Sequence, residues 1–549
     1  MKLKKMLCCI LAGIMLLSAV SALAEGGAVE SAFSGASGEL ITGVATLGTG
    51  DVGNIRGLNG QKTLLNYCTN TVQDMNPFHQ VITNAVVATL YMKLAYPDGQ
   101  GGLVSDCCES IENVAPGEWR VKLYPDIVDQ AGNPFTADDL VFCMNSTAEA
   151  GFSNSYADFG SIEKEDELTC LIKTSSPAKS SFYVVSAGTL LVTEESFNAS
   201  VDQMSTTPVG FTPYKLTAFL PGSYADVEAV DNYWQKDASK ISRHYEANVD
   251  VIHFVMLRDP AQKVAGLQTG DLNLVGGLDN ATMQMVQNGN FKIEPQYNID
   301  GNKALTFNMT EGTVCGDDIN LRQAILHCIN RQDWVDAFGA GRAVNSVIDK
   351  DYMGYNPEWD NMDYFVYDLD LAADYLSKSN YNGQSLRILA NPGGDSQTSC
   401  EVLMASLEAI GIKSELVVRE QATYGAAQYA SNNEFDIEFL EVYATTHDAY
   451  DALAVAGGSA FSDVEGRTKY GWANPELIEL CDNIADKGRT EENRDKIYQI
   501  LTDNAAMMGT FVKAEYVVCD PAIDQVFSVS GISIPGSTHF SQDYSVFVK

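Results

Sequence analysis

The amino-acid sequence predicts an α/β protein with more than one domain. The chain has 549 residues, more than a single hydrophobic core usually accommodates. Hydrophobic residues make up 45% of it and charged residues 19%, a composition typical of folded globular proteins. Segments with the two-residue period of strands alternate along the chain with segments of helical period, as they do in βαβ units.

The first 24 residues have the parts of a secretory signal peptide. A lysine-rich start is followed by the apolar run Met6–Val20 and by the small-residue cleavage site Ala22-Leu23-Ala24. We therefore expect a secreted or extracytoplasmic protein, with a mature chain that begins near Glu25 and carries no cysteine there for a lipid anchor. The glycine-rich residues 25–60 predict a flexible leader, and ordered structure is expected from about Thr63.

The first strand and helix are signalled close together. Glu118–Tyr124 alternates apolar with charged side chains, which predicts a half-buried strand. Thr136 followed by Asp139 has the spacing of a capping box, and the apolar residues after it have helical spacing. We therefore expect a helix that begins just after Thr136.

A βαβ unit follows. The run Val251–Leu257 is apolar on both faces except for His253 and predicts a central strand. Asp259-Pro260 has the residues of a helix N-cap and first turn, and Gly270 is suited to end that helix. Leu272–Val275 predicts the next strand.

Later segments continue the alternation of helices and strands. They predict a long helix from Leu321 to Phe338, a helix at Thr398–Ile410 ended by Gly411, a strand at Phe435–Val442, and helices that open at Asn474-Pro475 and Thr490.

Charge and motifs exclude several classes of function. The formal net charge of −37 disfavours binding to nucleic acid or to anionic lipid. The twelve cysteines show no C-x-x-C spacing, so most are expected to be small buried hydrophobic residues, and neither a metal nor a cofactor is predicted. No P-loop, G-x-S-x-G or H-E-x-x-H motif occurs, so we expect no enzyme; a secreted hydrolase with two scattered acids is the remaining alternative of a different class.

Five short motifs occur in an order and spacing that resemble one protein family. They are Asp74–Phe78, Trp119–Leu140, Thr207–Leu216, Leu267–Asp271 and Leu321–Arg331. Together they resemble the family 5 extracellular solute-binding proteins of ABC importers, the oligopeptide, dipeptide and nickel-binding group. The second motif carries most of the resemblance, because it spans a strand, a turn and the start of a helix.

The resemblance implies an α/β, bilobal periplasmic-binding-protein fold with three domains. A ligand would be held between two lobes that close about a hinge. The implied boundaries place domain I at 61–96, 209–300 and 516–549, domain II, the inserted small domain, at 97–208, and domain III at 301–515. The implied partners are ABC permease subunits with their ATPase subunits, and the protein is expected to be a monomer.

The resemblance also implies where a ligand would bind. Relatives that bind peptides hold the α-ammonium with an Asp just after a domain III strand, and the matching stretch here is Phe435–Ala449. A gapless alignment places Thr445 at the Asp position and Glu441 four residues earlier. Since Thr445 cannot form an ion pair, Glu441 or Asp448 could supply the carboxylate, and His447 leaves a metal chelate conceivable. Asp448 equally predicts a loop turn or a helix cap.

Aromatic and early polar residues complete the expected site. Tyr424 and Tyr443 would offer faces for the apolar parts of a ligand. Asn76 and Phe78 lie in the motif that faces the cleft in relatives, although Asn76-Pro77 equally predicts a structural turn. A peptide is the first ligand expected. An opine-like compound, an oligosaccharide and a metal chelate are the alternatives, since fold alone does not decide the ligand.

Overall fold

The computed structural model describes most of the chain after residue 50. The described residues are 51–57, 60–79, 84–97, 103–151, 156, 158–175, 179–297, 303–392, 394–429, 433–442, 444, 448–459, 463–464, 467–468, 470–472, 474–484, 488–529 and 532–541. The expected signal peptide and most of the expected leader lie outside this range.

Strands and helices alternate along the described chain. The strands are β1 (Asp51–Gly53), β2 (Leu64–Thr69), β3 (Met92–Lys93), β4 (Tyr96–Pro97), β5 (Leu103–Val104), β6 (Cys108–Ala115), β7 (Glu118–Leu123), β8 (Phe159–Lys164), β9 (Thr169–Thr174), β10 (Leu190–Leu191), β11 (Tyr214–Leu220), β12 (Tyr224–Ala229), β13 (Val251–Met256), β14 (Leu274–Leu278), β15 (Lys292–Tyr297), β16 (Lys303–Phe307), β17 (Gly341–Ala343), β18 (Leu386–Ala390), β19 (Ser414–Val418), β20 (Ile437–Glu441), β21 (Asp463–Val464), β22 (Arg467–Thr468), β23 (Met507–Cys519), β24 (Ile523–Gln525), β25 (Ser528–Val529), β26 (Ile532–Ser533) and β27 (His539–Ser541).

The α-helices lie between these strands. They are α1 (Ala85–Leu90), α2 (Ala137–Ala150), α3 (Lys179–Gly188), α4 (Glu194–Ala199), α5 (Pro260–Thr269), α6 (Asn280–Val286), α7 (Ile319–His327), α8 (Gln332–Phe338), α9 (Leu369–Lys378), α10 (Gly394–Ala409), α11 (Gln421–Ala427), α12 (Ala449–Leu453), α13 (Pro475–Ile484) and α14 (Glu491–Asp503).

The buried apolar side chains form two large clusters, which divide the protein into two lobes. One cluster takes residues between positions 55 and 274 and again between 517 and 540. The other takes residues between positions 304 and 511. We call residues 51–297 with 512–541 the first lobe, and residues 303–511 the second lobe. An α/β fold with two cores is therefore observed, as the sequence predicts.

A single large sheet runs through both lobes. Its strand order is β11-β12-β13-β2-β14-β23-β16-β20-β18-β19, and β15 and β17 also pair with β23. A separate four-stranded sheet, β6-β7-β9-β8, lies within residues 108–174 of the first lobe. It falls inside the segment 97–208 expected to form the inserted domain, and the boundaries of that domain remain a prediction.

The strand β23 joins the two lobes. Its first residues pair with β16 in the second lobe, and its last residues pair with β14 and β15 in the first lobe. The chain passes between the lobes a second time between Tyr297 and Lys303. Two crossings of this kind are suited to a hinge between lobes.

Local capping signals in the sequence are confirmed. The Asp139 carboxylate accepts a hydrogen bond of 2.7 Å from the backbone N–H of Thr136, at the start of α2. The Asp259 carboxylate accepts one of 2.9 Å from Gln262 N–H, at the start of α5. Gly270 ends α5 with φ of 78°, a left-handed conformation that glycine adopts without strain.

The long helix predicted from Leu321 to Phe338 is wrong, because the chain forms two helices, α7 and α8. The side-chain oxygen of Asn330 accepts a hydrogen bond of 3.2 Å from the backbone N–H of Gln332. An asparagine that bonds to nearby backbone in this way competes with the helix. Arg331 instead donates 2.9 Å to the carbonyl of Gly509 on β23, which fixes the break against the sheet.

The predicted start of the later helix at Thr398 is also wrong. α10 begins four residues earlier, at Gly394, and has the acidic Asp395 in its first turn, where a negative charge suits the helix dipole. The predicted helix starts at Asn474-Pro475 and Thr490 are confirmed.

Ordered structure begins earlier in the chain than the sequence predicts. β1 pairs with β27, and Ile55 is fully buried, so ordered structure begins before Thr63.

All ten cysteines after the expected signal peptide are buried and free, as predicted. Among the described helices, none has the length and apolar character needed to cross a membrane.

We predict that Gly509→Ala destabilises the second lobe. A Cβ atom at this position of β23 would overlap the backbone carbonyl of Ser346. Overpacking of this kind costs about 1–3 kcal/mol, which scanning calorimetry would report as a lower melting temperature. The control is Gly425→Ala in α11, where a Cβ meets no atom within 4 Å and the exchange gains up to about 1 kcal/mol. Equal melting temperatures for the two variants would contradict the close packing at Gly509.

Candidate functional site

The carboxyl ends of the parallel strands in the two lobes point toward each other. β23 runs from the second lobe into the first. β20 is antiparallel to β16, which is antiparallel to β23, so β20 and its parallel neighbour β18 run toward the first lobe. β14 is antiparallel to β23, so β14 and its parallel neighbour β2 run toward the second lobe. Both sets of carboxyl ends therefore face one space beside the middle of β23.

The register along β23 gives the size of this space. Glu441, at the end of β20, is opposite Lys303, which is opposite Phe511. Leu278, at the end of β14, is opposite Tyr516. The segment of β23 between these levels, extended at about 3.4 Å per residue, spans about 17 Å. Because ligands of open α/β sheets bind outside the carboxyl ends of strands, this space is the candidate site.

The residues expected from the sequence follow the strands that end at this space. Tyr424 lies in α11 after β19, and Asp448 comes directly before α12 after β20. Asn76 and Phe78 follow β2 in the other lobe. Three further candidates of the β20 loop, Tyr443, Thr445 and His447, lie outside the described residues.

Asp448 is fully buried and is used inside the second lobe. Its carboxylate caps α12 by accepting 2.8 Å from the backbone N–H of Tyr450, and it forms an ion pair with Arg489. Burial raises the pKa of Asp448 to about 6, and the positive charge of Arg489 opposes that shift. A ligand ammonium at Asp448 would have to displace a buried ion pair, which is costly.

Arg489 is held on several sides. Its guanidinium donates 3.2 Å to Asp451 and lies 4.9 Å from the centre of the Tyr450 ring. Arg489 is not predicted from the sequence, because it lies far from Asp448 along the chain and no local pattern links the two. Its position makes Asp448 a structural carboxylate at the base of the β20 loop.

Glu441 is placed differently, at the open end of β20. Half of its side chain is exposed, and its carboxylate forms an ion pair with Lys303, the first residue of β16. Exposed pairs of this kind contribute little to stability, about 0–1 kcal/mol. Glu441 can therefore exchange its partner at low cost, whereas Asp448 cannot. Lys303 is the second functional candidate that sequence reasoning missed.

Tyr424 contacts a buried acid rather than standing free as an aromatic platform. Its hydroxyl donates 3.2 Å to Glu438, a fully buried residue of β20 that also accepts a hydrogen bond from Gln428. Burial, together with the charge of Glu438, raises the pKa of Tyr424. The ring remains only partly buried, so one part of it is available on the second lobe.

Asn76 and Phe78 have structural contacts in the first lobe. The side-chain oxygen of Asn76 accepts 2.9 Å from Phe78 N–H, which makes the turn that the sequence equally predicted. The Phe78 ring is buried and packs against Phe142 and Phe197, with ring centres 5.5 and 4.9 Å away. These contacts account for both residues without a ligand.

An exposed arginine, Arg258, lies at the edge of the first lobe that faces the second lobe. Arg258 follows the end of β13 and is exposed, and its Nε donates 2.9 Å to the hydroxyl of Thr71 after β2. No carboxylate contacts Arg258 within the part of the chain that the structure describes. Among the described residues, no group of three or more His, Cys, Asp or Glu side chains is arranged to hold a metal ion.

Comparison with known proteins gives one family. The family model for bacterial extracellular solute-binding proteins, family 5, matches residues 102–462, more than half of the chain. The oligopeptide-binding protein AppA of Bacillus subtilis (strain 168) is 22% identical over 453 residues, which cover 76% of this chain and 79% of that protein.

Solved structures share the fold. The ABC transporter substrate-binding protein CtaP of Listeria monocytogenes matches with a TM-score of 0.70 and 19% identity, over 88% of this chain and 100% of that one. A nickel ABC transporter structure from Bacillus halodurans matches with a TM-score of 0.70 and 16% identity, over 87% and 100%. At these identities the matches bear on the fold, and they support the predicted periplasmic-binding-protein class.

The buried Asp448 should give the protein a pH-dependent stability. Its pKa is about 6 in the folded protein against 3.8 as the ordinary value, so between pH 4 and 6 the folded state binds more protons there than the unfolded state. Stability from this group therefore falls as pH rises through that window. We predict that the unfolding free energy of the native protein, relative to Asp448→Asn, drops by about 2 kcal/mol from pH 4 to pH 7.

Urea titrations of both proteins at pH 4, 5, 6 and 7 would measure this difference. Asparagine keeps the helix cap, since it is as good an N-cap as aspartate. A difference that stays constant with pH, or that grows as pH rises, would contradict the buried setting of Asp448.

Proposed function

Because the chain belongs to the bacterial extracellular solute-binding proteins of family 5, we propose that it captures a peptide-like solute between its lobes and delivers it to an ABC importer. The observation that carries the proposal is the convergence of the carboxyl ends of both sets of parallel strands on one space beside β23. Closure of the lobes about β23 and the second crossing would bury a solute there.

The amine end of a peptide needs a carboxylate that can change partners. A buried ammonium is stabilised only when it is paired, since desolvation otherwise outweighs the gain. Asp448 already pairs with Arg489. Glu441 is half exposed and pairs with Lys303 in a contact that costs little to open. We therefore assign the ammonium to Glu441 in preference to Asp448.

The other end of a zwitterionic peptide needs a cation on the facing lobe. Arg258, exposed after β13, is suited to this role because a guanidinium binds a carboxylate with two parallel hydrogen bonds. Partly buried Tyr424, with Tyr443 and the remaining candidates of the β20 loop, Thr445 and His447, would contact the middle of the ligand.

The proposal also covers the location of the protein, its oligomeric state and its partners. The signal peptide would be cleaved near Ala24, and the mature protein would act outside the cytoplasm as a monomer. Its partners would be permease subunits driven by ATPases, and it would carry out no covalent chemistry. The separate sheet β6-β7-β9-β8 supports residues 97–208 as an inserted domain between parts of domain I.

The experiment pairs ligands that differ only at the amine. Purified protein is titrated with defined tripeptides to pentapeptides and with the same peptides acetylated at the N-terminus, by thermal shift and calorimetry. Free peptides should stabilise the protein by about 2.7 kcal/mol at a hundred times the dissociation constant. Glu441→Gln should weaken binding of free peptides at least about 10-fold, the effect of 1.4 kcal/mol, and leave the acetylated peptides unchanged.

Glu408→Gln, an exchange of another exposed glutamate in the second lobe, is the control and should bind like the native protein. Stabilisation by opines, oligosaccharides or metal chelates alone would overturn the peptide assignment and leave solute capture standing. Turnover of a stabilising ligand, detected by mass spectrometry, would favour a hydrolase instead.

A further inference from the structure

A cavity of about 460 Å³ lies at the outer edge of the first lobe. It is lined by residues just before β2, by the loop between β12 and β13, and by the first residue of β27. Glu228, near the end of β12, is opposite Val251, and Val251 is opposite Leu64, so β2 and β13 both begin at this edge. Their carboxyl ends face the other lobe. The cavity therefore lies across the sheet from the space between the lobes, and its volume is typical of a small-molecule site.

The charges in the lining of this cavity are balanced. Besides His539, it has two positive side chains, Arg56 and Lys236, and two negative ones, Asp231 and Glu246. The whole chain has 72 acidic residues against 35 basic ones, so an even balance sets this lining apart from the rest of the surface. A charged solute would meet as many repelling groups as attracting ones. The lining therefore favours a neutral solute that forms hydrogen bonds.

Two mostly buried side chains of the lining have acceptor oxygens to spare. Asn248 Nδ2 donates 3.0 Å to Glu246 Oε2, and His539 Nε2 lies 3.3 Å from the same oxygen. Within the part of the chain that the structure describes, no hydrogen bond reaches Asn248 Oδ1 or Glu246 Oε1. Neither atom is fully buried, so each keeps contact with the open space that both residues line. A hydroxyl group in the cavity could donate to both.

Arg56 supplies hydrogen-bond donors to the same cavity. Its guanidinium lies 3.8 Å from Asp250 and 3.7 Å from Asp231, which is longer than a hydrogen bond, and it donates 3.4 Å to the carbonyl of Val230. The Asp250 carboxylate accepts shorter bonds of 2.9 Å from the N–H and the hydroxyl of Thr63. Arg56 therefore retains N–H groups that can bind a solute oxygen.

Tyr233 gives the cavity an aromatic surface. Its ring contacts Trp234, with ring centres 5.6 Å apart, and remains partly exposed. Pro213 and Ile241 add apolar surface to the lining. An aromatic ring buries a large apolar area at low entropic cost, and the C–H face of a sugar ring presents such an area. The cavity thus combines an aromatic face with separate donors and acceptors.

We propose that this cavity binds a neutral sugar unit, either a free sugar or one unit of a glycan chain. A sugar hydroxyl both donates and accepts hydrogen bonds, so one ring can donate to Asn248 and Glu246 and accept from Arg56. Its C–H face would pack on Tyr233. The inference goes beyond the capture of a solute between the lobes, because it uses none of the residues of that site and requires no closure.

The test titrates the full-length mature protein with glucose, galactose and mannose and with the disaccharides cellobiose, lactose and mannobiose, by ligand-observed NMR. At least one neutral sugar should bind. Its amino and uronic acid derivatives, which add a positive or a negative charge to the same ring, should bind at least about 3-fold more weakly. Tighter binding of the disaccharide than of its monosaccharide identifies a glycan as the ligand, and equal binding identifies a free sugar.

Variants of the aromatic surface locate the sugar. Tyr233→Ala should weaken its binding at least about 10-fold, the effect of 1.4 kcal/mol, whereas Tyr233→Phe, which keeps the ring, should stay within about 3-fold of the native protein. Tyr367→Ala, an exchange of an exposed tyrosine in the second lobe, is the control and should bind like the native protein. Arg56→Met, which should also weaken binding, serves if Tyr233→Ala does not fold.

Three results would overturn the proposal. They are the absence of binding by every neutral sugar, binding to Tyr233→Ala and Arg56→Met that equals binding to the native protein, and tighter binding of a charged derivative than of the neutral sugar. The radius of gyration should stay constant when the sugar binds, because the cavity lies within one lobe. A decrease would place the sugar between the lobes and contradict the proposed site.

Discussion

The pairing of one strand, β23, with both halves of the protein is the constraint on which the arrangement depends. The strand contributes backbone hydrogen bonds to β16 in one lobe and to β14 and β15 in the other, so it sets the direction of every other strand in the large sheet. Because β23 runs from the second lobe to the first, the strands antiparallel to it end toward the second lobe and those parallel to it end toward the first. The direction of β23 therefore makes the carboxyl ends of the parallel strands in the two lobes face each other across one space. Gly509 lets it approach Ser346 closely.

Charge pairing then distinguishes carboxylates that look equivalent in the sequence. Asp448 and Glu441 lie seven residues apart around the same loop, yet one is buried with Arg489 and the other is half exposed with Lys303. Desolvation makes the first pair costly to break, and solvent makes the second cheap to exchange.

Helix starts could be predicted where the interacting residues lie close together in the sequence. Capping patterns such as Thr136 with Asp139 predict helix starts because both partners lie within one turn. The helix break after Asn330 was not predicted, because the local hydrogen bond of the asparagine is reinforced by the contact of Arg331 with the distant strand β23. A helix-cap role for Asp448 could be predicted from the sequence, whereas its ion pair with Arg489 could not, since Arg489 approaches it only in the folded chain. Ion pairs between distant residues leave no periodic signal in a sequence.

The central claim is that a solute is captured by closure of two lobes about β23 and the adjoining crossing. Small-angle X-ray scattering of the mature protein, with and without a peptide that stabilises it, tests this claim directly, because closure makes the molecule more compact. The account predicts a smaller radius of gyration at saturation, and Glu441→Gln should reach the same decrease only at peptide concentrations at least about 10-fold higher than the native protein needs. A native protein that is stabilised by the peptide but keeps an unchanged radius of gyration would contradict capture by closure.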